Sequence, residues 1–338
     1  MDTSWIKMFS WKPQRAIQEN VDQYFHFLMA TESSRFWQTL STVDPLKSGE
    51  LASTLKGTPS LRWTPFWHSP AVYQLIIQWV RHRQFDQEAA VLMLCEGLLT
   101  LIDRRKEEKG RLDYSSGLVV DMNSHFALTD YIVGDKASAY KGQEKKTVLN
   151  KLKKASQTIL DINPVIWEFI TANCSLLVLR ETHDQTAKSF SHAECLGAVT
   201  FENYHLTEVT SSQMQADLLH EAIHNFLNKV ELKGVLLNDH NVLKDELFSP
   251  WTGELTSLHS LIHHCFVWGG VHRYLSEVTR SVHSTEITHK LLEFIEKGFL
   301  DKKLLLAVNS YRDSLPPYIF NHIVGLTHSF QNKQLVCH

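Results

Sequence analysis

At 338 residues, 43% apolar and 21% charged, the chain can bury a full core as one large domain or two close ones. A formal net charge of −3 provides no global field for nucleic acid or membrane, so neither is expected as a partner. There is no run of eighteen apolar residues, no basic segment leading an apolar one at the start, and no CxxC pair among five scattered cysteines. A cytoplasmic protein without disulfides is expected.

Apolar residues recur at helical spacing from Gln14 to about Leu40, through Ile17, Val21, Tyr24, Phe25, Leu28 and Phe36. A stretch rich in Pro, Gly, Ser and Thr, Lys56 to Pro70, interrupts the pattern. Pro70 to Lys106 predicts further helix, closed by the charge run Arg104 to Arg111, a solvated helix end. The middle changes character. Gly117–Asp121, Phe126–Val133, Ser175–Arg180 and Gly197–Phe201 predict short strands, with a helix over Lys145–Ile170 between them. Helices then follow over Ser212–Glu231, Leu255 to about Val282, Ile287–Lys297 and Leu304–Ser314. The expected fold is α+β and mainly helical. It has a helical N-terminal lobe (1–110), then a metal-binding core (111–338) with a small central sheet, the two forming one continuous unit.

With 19 histidines in the chain, a lone histidine says nothing and only spacing informs. The spacing that informs is His220-Glu221-Ala222-Ile223-His224, an HExxH inside a helical pattern. Imidazoles four residues apart share one helix face and can grip one ion, with the Glu221 carboxylate beside them. Leu219, Ile223, Phe226, Leu227 and Val230 form an apolar stripe next to the pair, and Ser211-Ser212 can cap the helix. Neutral imidazole nitrogens bind zinc or iron(II). Asp217, one turn before His220, is placed to orient an imidazole.

A third ligand must come from elsewhere, and Asp245, Glu246, Glu254, His259, His263 and His264 are the downstream candidates. No glycine follows His224 at the metzincin position, which excludes that pattern. Glu246 or Glu254 would complete a thermolysin-like set, and His263 a three-histidine set with open positions. His259 and His264 read as helix surface or as packing near the site.

Leu218-Leu219-His220-Glu221-Ala222-Ile223-His224, then Phe248-Ser249-Pro250-Trp251, then Leu261-Ile262-His263-His264-Cys265-Phe266-Val267-Trp268 resembles a known family. It is that of the HEXXH-motif peptide-modification proteins, the 2-oxoglutarate-dependent peptide β-hydroxylases of ribosomal-peptide biosynthesis. The segment Ser189–Val199 resembles the strand region preceding the motif there, and the likeness covers roughly residues 185–280. The resemblance implies iron(II) on His220, His224 and His263, with 2-oxoglutarate and O2 as cosubstrates. It also implies hydroxylation of a β-carbon in a precursor peptide. The family carries an arginine directly after SPW and usually another a few residues on, where this chain has Thr252 and Thr256. A 2-oxoglutarate carboxylate needs a cationic partner, and Arg273, later on the His263 helix, is the candidate. Trp251 is expected beside the site, behind the ligands.

Two other functions fit the same motif. In a zinc metallopeptidase, Glu221 would be the general base for a metal-activated water. In a non-catalytic binding relative, the fold would persist without turnover, in keeping with the missing arginines.

Overall fold

The computed structural model describes residues 6, 9, 11, 15–56, 70–107, 112–114, 118–128, 137–184, 186–234, 236–238 and 246–336. The Lys56–Pro70 interruption (57–69), the end of the charge run (108–111), the latter part of Phe126–Val133 and Asp245 lie outside the described residues. The architecture is the expected one, mainly helical with a small sheet. It falls into two compact units, one of residues 19–148 and 171–208, the other of 1–18, 149–170 and 209–338. These cut across the expected 1–110 and 111–338 division, because the N-terminal helices group with the sheet.

The first unit opens with helices α1 (Arg15–Val43), α2 (Pro45–Lys56), α3 (Pro70–His82) and α4 (Gln87–Glu107). Phe36, Leu40, Leu51, Ile76, Trp79, Leu94 and Leu98 are buried there. Strands β1 (Leu112–Tyr114), β2 (Leu118–Asp121), β3 (Leu176–Arg180), β4 (Lys188–Phe190) and β5 (Ala198–Glu202) make one sheet in the order β1-β2-β3-β5-β4. The central pairs β2–β3 and β3–β5 are parallel, and the edge strands pair antiparallel. All five residues of β3 are buried, as suits a near-continuous apolar run in the middle of a parallel sheet.

Phe126–Val133, expected as a strand, instead begins as the short helix α5 (His125–Leu128). Local polar groups override the β-prone composition: Ser124 donates its backbone N–H to Asp121 Oδ1 (3.0 Å), and the Ser124 hydroxyl accepts from Ala127 N (3.1 Å). The predicted Lys145–Ile170 helix is two, α6 (Gly142–Ile162) and α7 (Pro164–Asn173), divided where Pro164 begins a new first turn.

In the second unit, α8 (Ser211–Lys233) and α9 (Leu258–Val278) pack antiparallel. Partners pair from Gln215 with Tyr274, through His220 with Trp268 and His224 with His263, to Glu231 with His259. Gly270 permits close approach, since a Cβ there would lie 2.7 Å from Ile223 Cδ1 and 3.2 Å from Trp11 Cζ2. Trp11 donates its indole N–H to the Gly270 carbonyl (3.0 Å). The N-cap of α8 is Thr210, whose hydroxyl accepts from Gln213 N (3.1 Å), one residue before the expected serines. Residues Leu255–Thr256 are a strand, β7, paired with β6 (Leu247–Phe248), so the helix expected from Leu255 starts at Leu258 with Ser257 as its cap. Helices α10 (Glu286–Leu300), α11 (Lys302–Ser310) and α12 (Pro317–Val336) complete the unit.

Candidate metal centre

The apolar stripe of α8 does what its spacing promised. Leu219, Ile223, Phe226 and Leu227 are wholly buried and Val230 nearly so. This anchors α8 and turns the neighbouring face, with His220 and His224, toward α9. The His220 and His224 rings are 4.9 Å apart, centroid to centroid. His263 comes from α9 to lie nearly parallel to His224, with their Nδ1 atoms 3.3 Å apart. Two ligands of one ion, each about 2.0–2.2 Å from it at a tetrahedral or octahedral angle, stand roughly 3.0–3.4 Å apart. The His224–His263 pair has that separation. The His220 ring stands edge-on to Trp268, centroids 4.7 Å apart. The three expected ligands therefore share one region, although their ligand atoms do not all lie within 4.8 Å of one another.

Desolvation keeps these imidazoles neutral, which is the form a metal needs. Burial pushes His220 down to about 3 and His264 to about 4, helped in each case by a neighbouring histidine. His224 and His263 are lowered too, burial again dominating. Two ring nitrogens here are buried without a well-formed hydrogen bond: His264 Nδ1, and His263 Nε2, whose nearest carboxylate oxygen is 3.4 Å away on Glu231. Leaving such atoms dry and unpaired is costly, and an absent ligand is one resolution of that cost.

The outer side of His263 faces Glu231, which sequence reasoning passed over. His263 Nε2 lies 3.4 Å from Glu231 Oε2, and His259 Nε2 lies 2.6 Å from Glu231 Oε1. The ligand atoms of Glu231, His259 and His263 all lie within 4.8 Å of one another. Burial works to raise the Glu231 carboxyl, but His259 and His263 beside it hold it down at about 2, so it is a carboxylate. A signal existed: Glu231 follows His224 by seven residues, two helical turns along the same face. Of the described residues, a second such group, Glu144, Glu181 and His205, lies in the sheet-bearing unit.

The remaining expected residues are placed as follows. Glu221 is buried, exposing 3% of its surface. Asp217 accepts a hydrogen bond from Gln213 Nε2 (2.8 Å). Trp251 is buried, donates to the Ile295 carbonyl (3.2 Å) and sits edge-on to His264 at 6.3 Å. Gly298 makes room for that indole, since a Cβ there would overlap it. Glu246 and Glu254 are exposed and belong to neither ligand group. Thr252 is exposed, and Thr256 lies in β7. Arg273 is exposed; it lies ten residues beyond His263, about 15 Å along the helix axis. Its guanidinium donates to the Phe9 carbonyl (2.9 Å). No protein-family model and no curated protein matches the chain.

Proposed function

We propose that the chain is a cytoplasmic, non-haem iron(II) and 2-oxoglutarate-dependent hydroxylase. Its substrate is the β-carbon of a residue in a ribosomally made precursor peptide, and its metal ligands are His220, His224 and His263. The observation that carries this reading is the 3.3 Å approach of His224 Nδ1 and His263 Nδ1 between two packed helices, with His220 one turn away. The donor set fits the ion: three imidazoles held neutral by burial, amid buried ring nitrogens that lack well-formed hydrogen bonds. The resemblance of residues 185–280 to the peptide β-hydroxylases supplies the reaction class.

When bound, iron(II) with 2-oxoglutarate and O2 supplies the oxidising power: one oxygen atom enters the peptide C–H bond, and the other enters succinate as CO2 leaves. The chain's own contribution is position and dryness. Packing of Leu219, Ile223 and Phe226 fixes the α8 face that carries two ligands. Trp268 braces the His220 ring, and Trp251 backs His264. Arg273 remains the proposed cationic partner of the cosubstrate carboxylate, and for that role its side chain has to leave the Phe9 carbonyl.

The test uses purified protein, iron(II) and 2-oxoglutarate under nitrogen, followed by oxygen and a candidate precursor peptide. A visible metal-to-ligand charge-transfer band, succinate formation and a mass gain of one oxygen are expected. Absence of all three overturns the reading. Stoichiometric zinc in protein purified without added metal, together with peptide cleavage that Glu221→Gln abolishes, selects the metallopeptidase instead.

A further inference from the structure

We propose that Glu231, His259 and His263 form a second metal-binding position, a two-histidine-one-carboxylate seat for a divalent transition ion, distinct from the one built on His220 and His224. Three observations carry it. The ligand atoms are drawn from two helices, and all lie within 4.8 Å of one another. His259 and His263 repeat on α9 the four-residue spacing that HExxH uses on α8, with rings 4.4 Å apart. His263, 4% exposed, places Nε2 3.4 Å from Glu231 Oε2, too long for a well-formed hydrogen bond.

The donor chemistry suits zinc or iron(II) better than calcium or magnesium, because two of three donors are imidazole nitrogens. The 3.4 Å between His263 Nε2 and Glu231 Oε2 is already that of two ligands on one ion. The shorter His259–Glu231 contact, at 2.6 Å, is a hydrogen bond that an ion would open by about 0.4–0.8 Å. The side chains of His259 and Glu231 are 32% and 21% exposed, so one side of the seat is accessible and leaves coordination positions for water or a ligand.

The two seats share one ring. His263 offers Nδ1 toward His224 and Nε2 toward Glu231. A neutral imidazole keeps its proton on one nitrogen and offers a lone pair on the other, so one ion selects one seat. Filling both removes that proton from His263. The inference needs neither peptide hydroxylation nor 2-oxoglutarate.

Cobalt(II) is the probe, followed by its visible d–d bands and by metal analysis after gel filtration. The variant His220→Ala/His224→Ala is expected to retain one cobalt per chain. Adding Glu231→Ala or His259→Ala is expected to weaken that binding at least 100-fold. The inference is overturned if the double variant, folded by circular dichroism, binds no cobalt, or if its cobalt survives loss of Glu231. Should the double variant fail to fold, His224→Leu alone replaces it as the background that disables the other seat, and His259→Asn is added there. This partly exposed substitution must lower the cobalt bound at saturation or alter its d–d bands, and an unchanged titration and spectrum refute the seat. Lack of succinate from the wild-type protein would remove the hydroxylase reading and leave this cobalt count untouched.

Discussion

Arg180 on β3 and His263 on α9 each expose 4% of their surface, yet their polar atoms are treated differently. Arg180 donates through Nε (2.9 Å) and one terminal nitrogen (2.6 Å) to Glu202 Oε1, and through the other to the Ala127 carbonyl (3.4 Å). Next along the chain, Asn203, in left-handed backbone at φ 60°, accepts from Thr182 N and donates to the Thr182 hydroxyl and to the carbonyls of Asp184 and Thr186. His264 Nδ1 has no hydrogen-bond partner, and His263 Nε2 has only the 3.4 Å contact with Glu231 Oε2. Buried polar groups that satisfy one another specify a fold, whereas buried donors and acceptors left unpaired reduce stability unless something else binds them. The contrast separates a structural polar interior from one suited to a ligand.

The comparison can be broken most directly at Arg180. Arg180→Met leaves Glu202 buried without its cation and should cost about 3–5 kcal/mol in urea unfolding while sparing metal uptake. A cost under ~1 kcal/mol would mean that the network is not what holds the sheet. The reverse pattern is expected at His224. His224→Leu should weaken iron(II) binding at the His220–His224 seat beyond the ~10–100-fold typical of losing an outer partner, and leave the one cobalt(II) held by Glu231, His259 and His263. In the metal-free protein it removes only the 3.3 Å contact with His263 Nδ1 and should cost about 1 kcal/mol or less. Gly298→Ala sharpens the picture at the edge of the histidine cluster. Its Cβ would overlap the Trp251 indole, so a loss of about 1–3 kcal/mol is expected, with changed Trp251 fluorescence. Thr210→Ala removes the α8 cap and should cost about 1 kcal/mol by thermal or urea unfolding.

A pH dependence is expected as well. Burial, with Arg273 nearby, pushes His322 down to about 4. An unfolded chain protonates this ring below about 6.5, and the folded one resists until about 4. The unfolded state therefore binds more protons in that window, and stability falls as pH drops from 6.5 toward 4. His322→Leu should reduce the slope of that part of the stability–pH curve by at most one proton, the buried His220, His224, His263 and His264 supplying the rest, measured by urea midpoints across it.

Much of the helical frame was legible because its apolar residues repeat with a strong period. The stripe Leu219-Ile223-Phe226-Leu227-Val230 announces both the helix and its buried face, and the HExxH spacing follows from the same geometry. Strands β3 and β5 were legible as short apolar runs. The strands β1, β4, β6 and β7, two or three residues each, are too short for any period to register. Helix α12 was not foreseen, and α5 was expected as a strand, because a Ser–Asp hydrogen-bond pattern outweighs a β-prone composition over a single turn.

The sequence by itself determined which residues can share a helix face, since that depends only on the 3.6-residue repeat of one chain segment. It therefore supplied His220 with His224, and the α+β, mainly helical class. The antiparallel register of α8 on α9 came only with tertiary packing, through the close approach at Gly270 and the side chains that interlock around it. That register sets His263 against His224 on one side and Glu231 on the other, and it carries Arg273 to the Phe9 carbonyl. Contacts between separate segments depend on how two surfaces fit, and no spacing within either segment contains that information.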